Sequence, residues 1–319
     1  MASDCTALVV RPEVTYQEEA LLMVAQHMPL GEDTVTLRCG EPWINEGKTN
    51  TACENDDEVK CRDREAGSEV TLTVVSFPFQ EHGVGGVLWP AAVVLAHHLA
   101  LRECPRLLQT AQEPIPTRTQ SISHATPLVV ELGCGSACLG AMAAAACGGA
   151  RTLATDLPET VRLARRTLAR NTLSVSARGG SVAVLPLPWG ASLPPRLQQE
   201  RPALILGADI IYRSELHDSL LDTLSALCRL RDSDESENNS SRSRNSSNRS
   251  SSDGHKSQEP TRVLLSFAMR HPDKEASFLE KAKSTHGFHW RVLDLESLPV
   301  NVWSKTNVRV IEFTAPLDE

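Results

Sequence analysis

An open α/β sheet with helices on both faces is the fold class this sequence predicts, and three observations predict it. The stretch Leu128–Gly140, LVVELGCGSACLG, reads as a short buried strand, an acidic residue and a glycine turn. The turn opens into a helix of small residues, Leu139 to Cys147. Downstream of it, β-rich runs alternate with helical segments, the pattern of a largely parallel sheet. Finally, Asp156 closes the run RTLATD and Asp209 follows the run ALILGA. Both acids then lie at carboxyl ends of strands, where open α/β sheets bind ligands. Gly133 and Gly135 suit such a turn because a side chain would oppose positive φ and keep the backbone away from a ligand.

The rest of the chain fits around that stretch. Residues 1–30 carry a helical pattern with Leu21, Leu22, Val24 and Ala25. TVTLR (34–38) and EVTLTVV (69–75) read as strands, separated by a charged loop over residues 40–68. Gly83, Gly85 and Gly86 precede Trp89, and Pro90 suits the first turn of a helix carrying Val93, Val94, Leu95, Leu99 and Leu101. His97 and His98 are adjacent, so on a helix they diverge and make no metal pair. Residues 103–127 read as a Pro/Thr/Ser/Gln-rich linker. After the glycine turn come a strand at 151–156 and a helix at 159–171, with Arg162, Arg165, Arg166 and Arg170 on a solvated face. Strands at 181–187 and 203–206, a helix at 215–230, a strand at 262–268 and a helix at 273–285 follow. The segments 289–293 and 307–313 are expected to pair antiparallel at the sheet's edge. Residues 231–260, dominated by Ser, Asn and Arg, bury too little apolar surface to offset ordering and are expected to be a disordered insert. The domain expectation is an N-terminal helix and β-hairpin extension over 1–80 and a core over 81–319, interrupted by that insert.

Composition narrows the function. The 319 residues are 41% hydrophobic and 23% charged, the mix of a globular protein. With 32 Lys+Arg against 40 Asp+Glu the net charge is −8, which disfavours a protein that coats nucleic acid. No leader-like start or membrane-length apolar run is present, so no membrane is expected. The nine cysteines are odd in number and contain no Cys-x-x-Cys pair, which argues against a structural zinc and a disulfide framework. Reduced thiols point to the cytoplasm, with the nucleus as a second compartment.

The ligand follows from the glycine spacing. A dinucleotide fingerprint wants glycine at 133, 135 and 138, but Cys138 stands at the last and the next glycine is Gly140. Glu131 upstream, the Gly-x-Gly turn and Asp156 at the second strand end fit S-adenosylmethionine better. Glu131 would contact the methionine ammonium or order the loop. Asp156 would take the ribose hydroxyls, and Trp189 or Leu157 would pack on the adenine.

With those pieces placed, the chain resembles the seven-β-strand protein-lysine methyltransferases of the methyltransferase-like group, whose members modify chaperones, an AAA ATPase and elongation factors. The resemblance is carried by VLWPAAVVLAHHLAL (87–101), VVELGCGSACLG (129–140), ATDLPETVRLARRTLARN (154–171), Leu187-Pro188-Trp189-Gly190 and ILGADIIY (205–212). It implies a Rossmann-like class I methyltransferase sheet of seven strands, the last antiparallel, and S-adenosylmethionine as cofactor. It also implies that Trp89, Gly133, Gly135, Asp156, Trp189 and Ala208 line the cofactor pocket and that Asp209 and Tyr212 border the substrate side. The sequence departs from the family at Ala137, where members usually carry a third glycine, and at Pro90, where many carry Asp. One relative described as a histone-arginine methyltransferase shares both the lost glycine and the Trp-Pro pair.

Methyl transfer to lysine of a protein substrate is therefore the expected activity. Chaperone, ATPase, elongation-factor and histone classes are the candidate partners, and the chain is expected to be a monomer. Arginine methylation on the same fold and a non-catalytic binding role are the alternatives. A nucleic-acid methyltransferase is disfavoured, because Ile210 and Ile211 stand where that class carries prolines. For Asp209 the structural alternative is a cap of the following helix, and for Tyr212 core packing.

Overall fold

The computed structural model describes residues 31–40, 68–112, 126–230, 260–298, 302 and 306–315. The expected N-terminal helix, most of the charged loop, the later part of the linker and the polar insert lie outside the described residues.

β1 (Gly31–Arg38) and β2 (Glu69–Ser76) pair antiparallel as a separate two-stranded sheet. A seven-stranded sheet carries the rest. After α1 (Pro90–His98) and α2 (Cys104–Gln112), the chain runs β3 (Leu128–Leu132), α3 (Leu139–Gly148), β4 (Arg151–Asp156), α4 (Pro158–Arg170), α5 (Thr172–Ser176) and β5 (Ser181–Pro186). It returns as β6 (Leu204–Ala208), α6 (His217–Cys228), β7 (Arg262–Ala268), α7 (Pro272–His286), β8 (His289–Val292) and β9 (Val308–Thr314). The strand order is β5-β4-β3-β6-β7-β9-β8. β3 to β7 are parallel, while β9 is antiparallel to both β7 and β8. The two last strands pair as expected, but β9 lies inside the sheet and β8 forms the edge. This strand order, with β9 antiparallel, is the seven-stranded class I methyltransferase sheet.

Strand periodicity divides the core in two. Val129, Leu204, Leu206, Leu264 and Val310 face α1, α3 and the hairpin, whereas Val130, Ile205, Val263, Leu265 and Ile311 face α6 and α7. α3 is buried along its whole length because its alanines let it lie close on the sheet. The hairpin docks through Asn171, whose Oδ1 accepts from the Thr73 amide at 2.8 Å. The Asn171 Nδ2 donates to the carbonyls of Thr73 at 2.7 Å and Thr167 at 2.8 Å. The arginines at 162, 165, 166 and 170 are exposed, as their pattern on α4 requires.

One expectation is corrected. Residues 103–112 are helical, where a linker is the sequence reading. Leu99–Glu103 forms a π-helical turn in which the Cys104 amide reaches back to the Leu99 carbonyl. The turn frees the Ala100 carbonyl, which accepts from the Gly40 amide at 3.0 Å. The wider turn accommodates Pro105, which has no amide to give, and α2 continues beyond it. Glu103 is thereby delivered to Arg262, with bonds of 2.6 and 3.2 Å, and Arg262 also meets Glu312 at 2.5 Å. Burial alone would raise the Glu103 carboxyl, but His98 and Arg262 hold it down to about 2.

Candidate active site

The chain winds outward from β3 to β5, then crosses back to lay β6 against the other side of β3. Adjacent strands that lead away in opposite directions leave a crevice at their carboxyl ends. A cavity of about 460 Å³ opens there, within the range of small-molecule sites. Its walls come from the strand ends in turn: Gly133 and Gly135 after β3, Asp156 and Leu157 at β4, Trp189 after β5, Ala208 and Asp209 at β6, and Arg270 after β7.

The glycine turn is shaped by backbone demands. Gly133 and Gly135 have φ of +61° and +60°, left-handed values that cost a side chain energy. A Cβ on Gly133 would lie 2.6 Å from Ile210 Cγ2 and 3.1 Å from Trp189 Cζ2. Cys138 is also left-handed, at +36°, and starts α3. Ala137 is buried and lines the cavity without a left-handed φ, so the residue where relatives carry glycine is accommodated.

Glu131 is buried beneath the turn. Its Oε1 accepts from the Gly140 amide at 3.1 Å and its Oε2 from the Ala141 amide at 2.9 Å. Those amides belong to the first turn of α3, so the carboxylate satisfies two of the donors a helix start leaves open. Of the two roles the sequence allows, ordering the loop is the one these bonds display. Burial pushes the Glu131 carboxyl up to about 7, against the two amides that favour its charged form.

Asp156 holds the turn from the other side. Its Oδ2 accepts from the Gly135 amide at 2.8 Å and its Oδ1 from the Leu157 amide at 2.7 Å. The Thr160 side chain also hydrogen-bonds this carboxylate, which fixes it at the cavity wall. Burial raises the Asp156 carboxyl above the usual range. Leu157, 46% exposed on the cavity wall, is an apolar side chain open to a ligand. Trp89 starts α1, donates from Nε1 to the Val84 carbonyl at 2.9 Å and also lines the cavity. It therefore serves both as the helix's first neighbour and as a wall.

Asp209 is no helix cap; the residues that precede the next helical turns are Arg213 and Leu216. It is 9% exposed and left-handed, with φ +53°. Its amide donates to the Ser266 carbonyl at 2.7 Å, and its Oδ1 accepts from the Ala268 amide at 3.0 Å. Arg270 grips the carboxylate with Nη1 at 3.0 Å from Oδ1 and Nη2 at 3.2 Å from Oδ2. Aspartate tolerates this left-handed backbone, and these bonds fix its carboxylate at the crevice. Tyr212 is half-buried on the same wall, and its packing is not that of a core residue.

All ten residues expected from the sequence line this one cavity: Trp89, Glu131, Gly133, Gly135, Asp156, Leu157, Trp189, Ala208, Asp209 and Tyr212. Two further residues escaped sequence reasoning. Ser136 is buried, its Oγ 3.1 Å from the Val75 carbonyl and 3.0 Å from the Gly86 carbonyl, so it ties the glycine turn to the loop beneath Trp89. Arg270 lies two residues past β7, and a charge at a carboxyl strand end was the available signal.

This residue set fits S-adenosylmethionine. The turn has room only for glycine at 133, an acid ends the second strand of the crevice, and an apolar side chain stands open beside it. Among the described residues, no group of His, Cys, Asp and Glu forms a metal site.

Comparison with known proteins places the chain. The profile of the family described as lysine methyltransferase matches residues 73–248, more than half of the 319. The chain is 27% identical over 147 residues to the protein-lysine methyltransferase METTL21E of Mus musculus, covering 46% of this chain and 52% of that protein. The Bos taurus METTL21E is likewise 27% identical, with 46% and 44% covered. The chain thus spans about half the length of the curated relatives it matches. Among solved structures it is similar to the O-methyltransferase NcsB1 from neocarzinostatin biosynthesis, at TM-score 0.38 and 13% identity over 70% of this chain and 56% of that one. That distant likeness carries no argument about the site. The family profile, which spans β3 to β6 and the glycine turn, establishes that the chain belongs to the lysine methyltransferase family of S-adenosylmethionine-dependent enzymes.

Proposed function

We propose that the chain transfers a methyl group from S-adenosylmethionine to a lysine side chain of a protein substrate. The observation that supports this most is that one cavity is lined both by the Gly133–Gly135 turn with Asp156 and by the buried acid Asp209 with Trp89 and Tyr212. When bound, the cofactor supplies an electrophilic methyl carbon on a sulfonium.

The chain's residues do the remaining work. Asp156 receives the ribose hydroxyls, its carboxylate held in place by the Gly135 and Leu157 amides and by Thr160. Leu157 and Trp189 cover the adenine, and the Gly133–Gly135 turn admits the methionine part. Glu131 and Ser136 hold that turn in place, so its amides are aimed before the ligand arrives. Asp209 orients the acceptor's cationic side chain, and Tyr212 walls its channel. Lysine, with a reference pKa near 10.4, arrives protonated and must give its proton to solvent water at the open mouth of the cavity before its nitrogen lone pair attacks the methyl carbon.

Arginine as acceptor is a second reading with one observation in its favour: the Asp209–Trp89 wall already holds a guanidinium, that of Arg270. We further assign residues 81–319 to the catalytic core and 1–80 to an extension that bears the hairpin. The described cysteines are free and mostly buried, which suits the reducing cytoplasm or nucleus.

The test is transfer of an isotopically labelled methyl group from the cofactor onto proteins of a cell lysate, with mass spectrometry reading the modified residue. Label on lysine supports the proposal, and label on arginine supports the second reading. Asp209→Ala is expected to abolish transfer while keeping cofactor affinity. Normal turnover by that variant contradicts the role of Asp209.

A further inference from the structure

Arg270 sits where an acceptor would be expected. Its guanidinium makes a two-point contact with Asp209, at 3.0 and 3.2 Å, and lies 5.2 Å over the ring of Trp89. A planar cation clamped by a carboxylate and laid on an aromatic face is how a site recognises a cationic side chain. We propose that Asp209 and the Trp89 face form the recognition subsite for the acceptor's cationic side chain, and that Arg270 fills this subsite as an internal stand-in until the acceptor displaces it. The inference rests on the methyl-transfer reading above.

Three features allow the exchange. First, the backbone at Arg270 is fixed without its guanidinium. The amides of Arg270 and His271 both donate to Glu275 Oε1, at 3.0 and 3.1 Å. Met269 is bonded through its amide to the Asn307 carbonyl at 2.7 Å and through its carbonyl to Asn307 Nδ2 at 2.9 Å. The side chain can therefore swing while the strand end stays in place. Second, the subsite outlasts the departure. Asp209 keeps its bonds to Ser266 and Ala268, which hold its carboxylate in position.

Third, a berth stands next door. Glu275 Oε2 is buried and has no hydrogen-bond partner among the described residues. It borders a second cavity of about 20 Å³, large enough for one water-sized group and lined also by Arg270 and Asp209. A carboxylate oxygen left unpaired in the interior is costly, and a guanidinium amino group entering that cavity satisfies it. Charge balances through the exchange. Before it, Arg270 neutralises Asp209; after it, Arg270 pairs with Glu275 and the acceptor cation pairs with Asp209.

The test uses the full chain and two probe cations, methylguanidinium and n-butylammonium, titrated by calorimetry into wild type and Arg270→Met. An open subsite is expected to bind methylguanidinium at least ~10-fold more tightly than wild type, because a site free a tenth of the time loses that factor in apparent affinity. Adding Asp209→Asn to Arg270→Met should remove the gain. Arg270→Gln, which keeps a polar stem without charge, is read in parallel and should show the same gain should the Met variant fold poorly. Equal affinity in wild type and both variants, or a gain that survives Asp209→Asn, overturns the inference. S-adenosylmethionine is titrated into the same proteins. Cofactor binding without a cation gain overturns only the stand-in role, whereas a wild type that binds no cofactor overturns the methyl-transfer reading beneath it.

Discussion

Replacing the two turn glycines by alanine, one at a time, separates backbone strain from steric collision. Both positions have left-handed φ, +61° at Gly133 and +60° at Gly135, so an alanine at either one costs about 1–2 kcal/mol in conformation alone. Their surroundings differ. At Gly133 the new Cβ meets Ile210 Cγ2 at 2.6 Å and Trp189 Cζ2 at 3.1 Å, inside contact distance on two sides. Ile210 is buried, so relief must come from shifts in packed groups, which adds about 1–3 kcal/mol. At Gly135 the nearest atom is the Gly85 carbonyl oxygen at 3.4 Å, an ordinary contact, and no collision term is added. Gly135→Ala should then lose about 1–2 kcal/mol and Gly133→Ala about 2–5 kcal/mol, out of the roughly 5–15 kcal/mol that a domain has. Urea unfolding measures both, read as midpoint shifts at unchanged slope. Equal losses, or a smaller loss at Gly133, would refute the packing assigned to Ile210 and Trp189.

Other outcomes follow from the bonds around the site. Glu131 has its carboxyl raised to about 7, so the native state binds a proton the unfolded chain has released above pH ~4.5. The stability from that group is complete below about 4.5 and is lost as pH rises through 7, a swing of order 3 kcal/mol. Thermal melts of wild type should show this decline, and Glu131→Gln should flatten it. Glu103 has the opposite sign: held down to about 2, it stabilises above pH ~4.5 and that contribution fades as pH falls toward 2. Arg262→Met strands the Glu103 carboxylate in the interior and should cost about 3–5 kcal/mol in chemical unfolding. Asn171→Ala removes two bonds that pin the hairpin and one to Thr167 of α4, and should cost about 2–4 kcal/mol. Hydrogen exchange should show that loss first in the amides of β1 and β2, and uniform loss across the sheet would contradict a local clamp.

The sequence was legible where one physical signal dominated. β-branched and aliphatic runs mark the central strands β3, β4, β6, β7 and β9, because strands buried on both faces need such side chains, whereas the edge strand β8 is exposed along its length. Glu131, Gly133, Gly135 and Asp156 are legible because glycine, acid and strand end fall in fixed succession at 131–135 and 151–156, whereas Trp89, Ala208, Asp209 and Tyr212 rest on the family resemblance. Residues 103–112 read as linker because they share a Pro/Thr/Ser/Gln-rich run with the residues up to 127, and no local pattern reports the π turn before Pro105. The Asp209–Arg270 pair was hidden for a different reason. Its partners are 61 residues apart, and only the pairing of β6 with β7 brings them together. The role of Ser136 is not local either, since its partners Val75 and Gly86 lie 61 and 50 residues away in the chain.

A calorimetric titration of S-adenosylmethionine into wild type and Asp156→Ala tests the cofactor crevice most directly. The wild-type chain should bind one equivalent. The variant, which loses the acid at the β4 end and the 2.8 Å anchor of the Gly135 amide, should bind at least ~10-fold more weakly, the ~1.4 kcal/mol that one charge-assisted contact supplies. Absence of binding by wild type, or equal affinity in the variant, would contradict the assignment of this crevice as the cofactor site.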